Sequence, residues 1–478
     1  MTQPSRRRWY ALVLLCFTQL MIVLDGTIVT VALPTIQDDL AFSQTGLSWV
    51  VNAYLIGFGG FLLLAGRFAD LFGRRRLFMA GIAIFTLASA ACGAAQEPWM
   101  LVTARGIQGV GGAVMAAVAF AIVIATFTDG AERARALGVW GFTASGGGSI
   151  GVLLGGVLTA SLSWHWIFLV NVPIGIAVFV LAPRLLDADP VAERRPSVDV
   201  PGAITIVSGL AIGVYAIVGA VDRGWTDAVT VALLALAVAL VVAFVVIERR
   251  TAEPLVPFDL FHSRSFTVAN ALSVLVVAGM FGWFFFGALY LQEVLGFSTL
   301  QTGLAFLPAT LALGLLSIGL SARIAMTIGP RKALVIGLLL GGAGVLLLAR
   351  ASVDGSYIVD VLPSQLLIGV GIGMAFMPIF MILTSDVSPE LSGLASGVMQ
   401  TVQQFGGALG LATLTAIAAS QSASSGEPAG SPEALIAGYH GAFLVGAISL
   451  FVAALGAAVL LPASKGAPIP HEPQETHV

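Results

Sequence analysis

The stretch Gly66-Arg67-Phe68-Ala69-Asp70-Leu71-Phe72-Gly73-Arg74-Arg75-Arg76 joins two long apolar runs of this 478-residue chain. Gly66 and Gly73 permit a tight turn, because glycine adopts backbone conformations that other residues avoid. A single acid, Asp70, stands among four arginines. In a soluble protein such a segment is an ordinary solvated turn. Here the runs on either side are long enough to cross a membrane, so the segment is predicted to be a short loop between two spanning helices.

Hydrophobic residues make up 58% of the chain and charged residues only 10%, against roughly 25% charged residues in soluble domains. A helix that crosses the hydrocarbon core needs about 20 mostly apolar residues. We find fourteen such runs, at 11–33, 48–66, 77–95, 99–126, 134–158, 164–184, 201–220, 228–247, 266–291, 301–322, 333–350, 357–384, 393–419 and 438–462. A soluble domain has too little interior to bury them all. The sequence therefore predicts an all-α polytopic membrane protein with fourteen transmembrane helices.

The distribution of basic residues predicts the orientation of the chain. The apolar run after Arg6, Arg7 and Arg8 is too long for a secretory signal and has no convincing cleavage site, so it is interpreted as the first spanning helix. Nineteen of the 22 Lys and Arg residues lie in the termini or in the loops on the same side. By the positive-inside rule both termini are cytoplasmic. The scarcity of lysine and the abundance of Ala and Gly are typical of a GC-rich genome, which favours a bacterial plasma membrane.

The chain also contains an internal repeat. Five loop residues recur 256 positions later, in the pairs Arg67/Arg323, Ala69/Ala325, Gly73/Gly329, Arg75/Arg331 and Arg76/Lys332. A second echo, Gly109-Val110-Gly111 against Gly369-Val370-Gly371, falls in the fourth helix of each block. We predict two pseudo-symmetric six-helix bundles, 1–186 and 264–465, with a linker at 187–263 that adds two inserted helices, and a cytoplasmic tail at 466–478. Such paired halves are the design of many secondary transporters.

The sequence lacks the marks of an enzyme or a nucleotide-driven pump. No Walker A phosphate loop is present. Cys16 and Cys92 lie inside predicted helices, and the five histidines are scattered without the spacing of a metal site. We therefore expect no catalytic residue, no metal site, no cofactor and no nucleic-acid partner.

Two charged residues lie deep within predicted spanning helices, Asp25 in the first and Arg105 in the fourth. Charges at this depth cost about 2.5–3.5 kcal/mol on insertion scales and so indicate function. Arg105 shares a helix face with Gln108, Gly109 and Gly112. A carboxyl whose surroundings alternate can take up a proton on one side and release it on the other. We predict that Asp25 couples transport to protons and that Arg105 modulates it; the alternative is a fixed structural pair.

Other polar residues in the predicted helices are candidates for a substrate cavity. Gln400, Gln403 and Gln404 share one helix face, and Glu293 is either an entry-site acid or a solvated residue at a helix end. The full set of candidates is Asn52, Tyr54, Gln108, Gln292, Glu293, Gln400, Gln403 and Gln404.

Taken together, several segments resemble the fourteen-helix drug:proton antiporter family of the major facilitator superfamily. The matching segments are Leu24–Pro34, Gly66–Arg76, Arg105–Gly112, Trp164–Gly175 and Tyr290–Gln292. The resemblance covers about residues 8–462. It implies the major facilitator fold, alternating access between the two bundles, and export of drugs or antibiotics.

The resemblance also implies roles for two further motifs. A conformational gate, whose arginines are expected to pair with acids after the fourth helix, comprises Gly66, Arg67, Asp70, Gly73, Arg74, Arg75 and Arg76 with Asp129 and Glu132. An antiporter motif, which provides a smooth face for close helix approach, comprises Gly147, Gly151, Gly155 and Gly156. The family's motif has proline where this chain has Val152, so the kink that proline imposes is missing. Helix packing without any role in antiport is the alternative.

The predicted function is export of a small hydrophobic, drug-like compound in exchange for protons, by a monomer surrounded by membrane lipid. Because the later helices contain few acids, a neutral, zwitterionic or singly charged substrate is favoured. The first alternative is a transporter of a lipid, sugar or amino acid. The second is a membrane protein that does not transport, either a receptor or an enzyme. An enzyme would need a clustered nucleophile, base or metal ligand.

Overall fold

A computed structural model describes residues 5–127, 129–187, 199–251, 254–256, 258–316, 320–385, 387 and 392–462. The predicted tail at 466–478 and most of the polar stretch after residue 187 lie outside these residues. Within the described part of the chain every regular element is helical, and no strand occurs.

The described residues form seventeen α-helices. Their bounds are α1 Ser5–Leu40, α2 Gln44–Leu47, α3 Trp49–Phe72, α4 Arg74–Gly93, α5 Pro98–Thr126, α6 Gly130–Ser161, α7 Trp166–Leu169, α8 Asn171–Leu185, α9 Val200–Arg223, α10 Ala228–Glu248, α11 Arg264–Leu289, α12 Thr299–Leu315, α13 Ser321–Ile328, α14 Pro330–Leu348, α15 Leu362–Thr384, α16 Ser392–Ser424 and α17 Pro432–Leu460. A 3₁₀ turn at Phe258–His262 precedes α11, and π-helical turns occupy Tyr290–Val294 and Tyr357–Val361.

Polar side chains mark where several of these helices begin. Asp199, Asp227, Ser263, Ser298 and Ser431 stand immediately before α9, α10, α11, α12 and α17, and each accepts a hydrogen bond from a backbone N–H of the first turn. These N–H groups have no partner within the helix, so a side-chain cap stabilises the helix start.

The internal repeat is visible in the backbone. Gly73 separates α3 from α4 with φ 85° and ψ 138°, and Gly329 separates α13 from α14 with φ 89° and ψ 141°. Residues with side chains rarely adopt this conformation, so glycine is needed in both loops. The two loops therefore have the same shape at the two positions that the sequence repeat relates.

Two helical bundles pack according to the same plan. In the first, α5 packs against α3 and α4, and α1 packs against α6 and α8. In the second, α15 packs against α12 and α14, and α11 packs against α16 and α17. The inserted helices α9 and α10 pair with each other, and α9 also packs on α3 and α16, one helix from each bundle.

Twelve helical segments of the described chain are long and apolar enough to cross a membrane. The other two predicted runs coincide with shorter apolar helices, Ile150–Ser161 and Thr299–Leu315. The protein is thus an all-helical, multi-pass membrane protein with twelve long apolar helices, and the count of fourteen spans stays a prediction.

The two bundles meet closely near one end of the molecule, which we call the far end: the end at which α1 finishes, opposite the terminus end at which it begins. There the Gln292 side chain donates to the backbone carbonyl of Val31 across the bundles, at 2.8 Å. A Cβ on Gly156 would lie 2.8 Å from the carbonyl oxygen of Thr299, and one on Gly303 would lie 2.9 Å from that of Val152. Small residues and backbone groups therefore form this far-end seam.

Candidate functional site

Asp25 lies inside the first bundle, where α1 meets α5 and α8. Its exposed fraction is 0%, and that of Arg105 on α5 is 1%. The side chain therefore points into protein rather than into lipid or bulk water. A buried charge is tolerated only when it is paired and hydrogen-bonded, and both conditions are met here.

Arg105 is the counter-ion of Asp25. Its Nη1 donates to Oδ2 of Asp25 and also to Oε1 of Gln108, at 2.7 Å. Its Nε donates to the backbone carbonyl of Val50 at 2.9 Å. The guanidinium carbon lies 4.3 Å from the centroid of the Tyr54 ring, close enough for a cation–π interaction. These contacts from α1, α3 and α5 fix the guanidinium in one position.

Gln108 connects the ion pair to α4. Its Nε2 donates to Oδ1 of Asp25 at 2.7 Å and to Oγ of Ser89 at 2.9 Å. Its Oε1 accepts from Arg105 and from the thiol of Cys92, whose sulfur lies 3.6 Å away. Both the amide nitrogen and the amide oxygen of Gln108 are therefore hydrogen-bonded within the bundle, and Gln108 contacts Asp25 and Arg105 at once.

Asn171, the first residue of α8, contributes from another helix. Its Nδ2 donates to Oδ1 of Asp25 at 3.4 Å, whereas its own Oδ1 is buried without a hydrogen-bond partner. Asp25 thus accepts from Arg105, Gln108 and Asn171, which suits an ionised carboxylate. We call Asp25, Arg105, Gln108, Ser89 and Asn171 the Asp25 network.

Because Asp25 and Arg105 are both buried, protonation of Asp25 affects how the surrounding helices pack. A protonated Asp25 no longer neutralises Arg105, and an unpaired buried charge costs about 3–5 kcal/mol. That cost is relieved if Arg105 reaches water or another acceptor. The arrangement can therefore link the protonation of one carboxyl to a movement of α1 relative to α5.

The structure brings four of the predicted site residues together, namely Asp25, Arg105, Gln108 and Tyr54. Asn52, on the same helix as Tyr54, is fully buried, and both polar atoms of its amide lack hydrogen-bond partners. The Tyr54 hydroxyl is also buried without a partner. No described protein atom therefore satisfies these buried polar groups of α3.

The remaining cavity candidates are spread over the second bundle. The Cβ of Gln404 lies 2.9 Å from where a Cβ on Gly59 of α3 would stand, so it faces the first bundle. Gln403 is half-buried and Gln400 is exposed. Gln292 forms the cross-bundle bond of the far-end seam, and the half-buried Glu293 next to it accepts a hydrogen bond from the Tyr439 hydroxyl.

The gate predicted for the loop after α3 is described only in part. The side chains of Arg67 and Asp70 lie outside the described residues. Arg75 donates to the backbone carbonyl of Leu186 at 3.4 Å. Glu132, an expected partner of the loop, instead forms an ion pair with Arg8 of α1 at 2.8 Å.

Two further residues of the gate have local roles in the structure. The Asp129 carboxylate accepts from the backbone N–H of Glu132 at the start of α6, at 3.0 Å. Gly73 supplies the turn between α3 and α4, and Gly66 has no neighbour within 4 Å of an added Cβ. Pairing of the loop arginines with Asp129 stays a prediction.

The glycines of α6 pack against other helices. A Cβ on Gly147 would meet Val23 at 3.0 Å, and one on Gly151 would strike the Thr27 side chain. Gly155 approaches the backbone of Ile28, and Gly156 approaches α12 at the far-end seam. Three of the four glycines thus seat α6 on α1, the helix that carries Asp25, and Gly156 seats α6 on the second bundle.

Sequence reasoning missed several members of the site. Ser89, Cys92 and Phe168 approach the pair from α4 and α7, with the Phe168 ring centroid 5.7 Å from the guanidinium carbon of Arg105. All three read as ordinary packing residues in the sequence. Asn171 differs from these three, because a polar residue inside an apolar run is itself a sign of a functional position. Within the described residues, no three His, Cys, Asp or Glu side chains cluster as a metal site would require.

With this geometry in place, the chain can be compared with known proteins. A family model of the Major Facilitator Superfamily matches residues 15–411. The chain belongs to this superfamily. The predicted family and the major facilitator fold are therefore confirmed.

Two relatives of this major facilitator protein extend over nearly its whole length. It is 41% identical over 460 residues to the puromycin resistance protein pur8 of Streptomyces alboniger, covering 94% of this chain and 90% of that one. It is 38% identical over 457 residues to the cephamycin export protein CmcT of Amycolatopsis lactamdurans, covering 95% and 91%.

Among solved structures, a bacterial homologue of the human lysosomal transporter Spinster, in an inward-facing and unoccupied conformation, matches with a TM-score of 0.68. The sequences are 16% identical, and the match covers 95% of this chain and 97% of that one. At this identity the likeness shows the fold.

Proposed function

We propose that this major facilitator protein exports a hydrophobic drug or antibiotic across the bacterial plasma membrane in exchange for protons. The Asp25 network carries the proposal, because it places one carboxyl and one guanidinium in a closed site within a membrane bundle. Relatives named for puromycin resistance and cephamycin export support drug efflux as the direction and cargo.

Coupling follows from the two states of Asp25. In the ionised state Arg105 and Gln108 hold the carboxylate between α1 and α5. In the protonated state the attraction to Arg105 is lost, and α1 is free to shift relative to α5 within the first bundle, a shift that we couple to the rocking of the two bundles. Asn171 serves both states, since its Nδ2 donates to the carboxylate and its unpartnered Oδ1 is an acceptor beside it. A transporter that alternates between these states exchanges one proton for cargo.

The remaining predictions belong to the same proposal. The two bundles, 1–186 and 264–465, rock about a site near the membrane midplane, and the segment 187–263 adds two helices to make fourteen. The loop from Gly66 to Arg76 biases the balance between inward and outward states, with both termini in the cytoplasm. The protein works as a monomer in contact with lipid. The scarcity of membrane acids favours a neutral, zwitterionic or singly charged substrate.

The direct test uses purified protein in proteoliposomes with an imposed pH gradient. Puromycin is the first probe, because the relative with 41% identity is named for resistance to it; cephamycin and lincomycin extend the panel. We expect uptake driven by the gradient and abolished by a protonophore. Asp25→Asn should reduce this uptake to the level of protein-free liposomes, since the amide cannot carry a proton.

A matched control is Asp38→Asn, which removes an exposed carboxyl from the same helix; it should retain transport. Binding of the probe to Asp25→Asn, measured by fluorescence or calorimetry, shows whether the variant is folded and competent. Gradient-driven uptake by Asp25→Asn at the normal rate contradicts the coupling role.

The alternative functions make different predictions in cells. An exporter of drugs raises resistance to several hydrophobic compounds, and a protonophore removes that resistance. A transporter of a sugar, lipid or amino acid leaves resistance unchanged but alters accumulation of its solute. A receptor of the same fold produces neither effect, and Asp25→Asn would then be silent.

A further inference from the structure

A second pair of buried carboxyls lies at the terminus end of the inserted helices. Asp199 stands just before α9 and Glu248 ends α10, with exposed fractions of 5% and 2%. Asp199 Oδ1 accepts from the backbone N–H of Gly202 at 2.8 Å, and its Oδ2 accepts from the Thr251 hydroxyl at 3.3 Å. Glu248 Oε2 accepts from the backbone N–H of Val256 at 3.0 Å. Three of the four carboxyl oxygens thus have a neutral donor nearby, although the single Thr251 proton also faces the Ile247 carbonyl oxygen at 2.9 Å.

The fourth oxygen, Oε1 of Glu248, is buried without a hydrogen-bond partner. It faces the other acid. A Cβ on Gly202 would lie 2.5 Å from Oδ2 of Asp199 and 2.8 Å from Oε1 of Glu248, so both oxygens flank the same point. Because residue 202 is glycine, the two carboxyls can approach each other over the first turn of α9.

The described surroundings supply no cation to this pair. α16 has no charged residue, and α9 has none between Val200 and Val221. Arg250 is exposed, and the guanidinium carbon of Arg249 lies 5.7 Å from the Phe258 ring centroid. On the 3₁₀ turn Asp259 and His262 face each other at 3.8 Å, and both are exposed. The charged side chains that lie outside the described residues include those of Arg67, Asp70, Asp189, Glu193, Arg194, Arg195 and Glu253.

Two ionised carboxylates whose oxygens lie 2.5 and 2.8 Å from one point repel each other strongly in a buried site, and one of them keeps a proton instead. We propose that Asp199 and Glu248 form a proton-binding site of the insert, in which Glu248 donates through Oε1 to Oδ2 of Asp199. The shared proton satisfies the unpartnered oxygen without disturbing the bonds from Gly202, Thr251 and Val256. A divalent cation is a poorer occupant, because the two carboxyls and one hydroxyl would leave Mg²⁺ or Ca²⁺ in need of several water ligands, and both carboxyl residues are almost fully buried.

The position of the site gives the proton a structural task. The buried residues of α10 are Thr230, Ala237 and Glu248, and α10 packs chiefly against α9. A hydrogen bond from Glu248 to Asp199 therefore holds the two inserted helices, α9 and α10, together at their terminus end. When the proton is lost, the two carboxylates repel and the fastening opens. Stability is present while the proton is bound and falls as the pH rises past its release.

Infrared difference spectroscopy on the full-length protein in lipid nanodiscs tests this site. Between mildly acidic and mildly alkaline pH, the wild type should lose a carbonyl band of a protonated carboxyl. Glu248→Gln and Asp199→Asn should each remove that component, because either amide supplies the N–H donor and leaves no proton to titrate. Asp227→Asn is the matched control: Asp227 caps the other inserted helix with both of its bonds to backbone N–H groups, and its variant should keep the band.

Thermal unfolding over the same pH range gives an independent measurement. The wild type should melt at a lower temperature on the alkaline side, and Glu248→Gln and Asp199→Asn should each show a smaller fall than the wild type. Two results overturn the proposal. One is a band and a melting curve that neither variant changes. The other is a rise in wild-type melting temperature with Mg²⁺ or Ca²⁺ that both variants lose, since the pair would then hold a cation. Neither readout depends on transport, so the proposal stands or falls separately from the proposed function.

Discussion

The fourth spanning helix of the first bundle is α5, which carries Gly109 and Gly111. The fourth spanning helix of the second bundle is α15, which carries Gly369 and Gly371. A Cβ on Gly109 would lie 2.9 Å from the Phe58 backbone nitrogen of α3, and one on Gly369 would lie 2.8 Å from the Ala309 Cα of α12. On Gly111 it would strike the α4 backbone at Phe85, and on Gly371 it would strike the α14 backbone at Gly341. The same glycines bring the same pairs of helices together in both halves.

The polar residues do not follow this symmetry. Four positions before Gly109 stands Arg105, whereas four positions before Gly369 stands Gln365, whose buried Oε1 has no hydrogen-bond partner. At the loop offset of 256, Asp25 corresponds to Phe281. The comparison teaches that the duplicated scaffold requires small residues at helix crossings but not charge. The ion pair occurs in the first bundle and has no counterpart at the corresponding positions of the second.

The largest expected difference between the bundles concerns the fourth helix. Arg105→Leu leaves Asp25 buried without a counter-ion and should lower the free energy of unfolding by about 3–5 kcal/mol. Gln365→Leu removes an amide whose Oε1 lacks a partner, leaves no unpaired charge, and should cost only about 1 kcal/mol. Chemical unfolding in mixed micelles measures both values. The double variant Asp25→Leu/Arg105→Leu should recover most of the loss; if it does not, the cost lies in packing rather than in the unpaired charge.

The glycine crossings should respond equally in the two bundles. Gly109→Ala and Gly369→Ala each force a methyl group into the backbone of a neighbouring helix, with an expected destabilisation of about 1–3 kcal/mol. Gly106→Ala is the control on α5, because its Cβ would meet nothing closer than the Ala53 carbonyl at 3.9 Å, and its stability should be unchanged. A large loss in one bundle and none in the other would contradict the shared scaffold.

The smallest effect is expected at the edge of the Asp25 network. Ser89→Ala removes the acceptor for one N–H of Gln108 and should cost about 1 kcal/mol, with transport retained at a reduced rate. Ser273→Ala on α11 is the matched control, since that hydroxyl bonds to Ala269 of its own helix at 2.8 Å. Equal effects of the two variants would show that Ser89 does not support Gln108.

Much of this could be predicted from sequence because membrane depth makes charge conspicuous. Asp25 and Arg105 are the charged residues inside apolar runs, and Gln108 follows Arg105 on the same helix face, so their association was a reasonable expectation. The repeat of Gly73 at Gly329 predicted two matching loops, and the backbone angles agree.

The rest depends on contacts between residues distant in the chain. Nothing in the local sequence indicates that Ser89 or Asn171 would contact the ion pair, because a single polar residue in a helix has many acceptable environments. Glu248 and Asp199 stand at helix ends, where acids are usually solvated, so their burial against each other had no sequence signal. Glu132 pairs with Arg8, more than a hundred residues earlier in the chain, and local sequence does not indicate this contact. Pairing of Glu132 with the loop arginines stays a prediction.

Among the described residues, the hydrogen-bonding partners of the Asp25 carboxyl all belong to the first bundle. In the proposed exporter, substitutions in the second bundle can change the shape of the substrate cavity while the proposed proton-coupling residues of the first bundle stay the same. One relative is named for puromycin and another for cephamycin. A change of substrate of this kind then requires no change in the residues around Asp25.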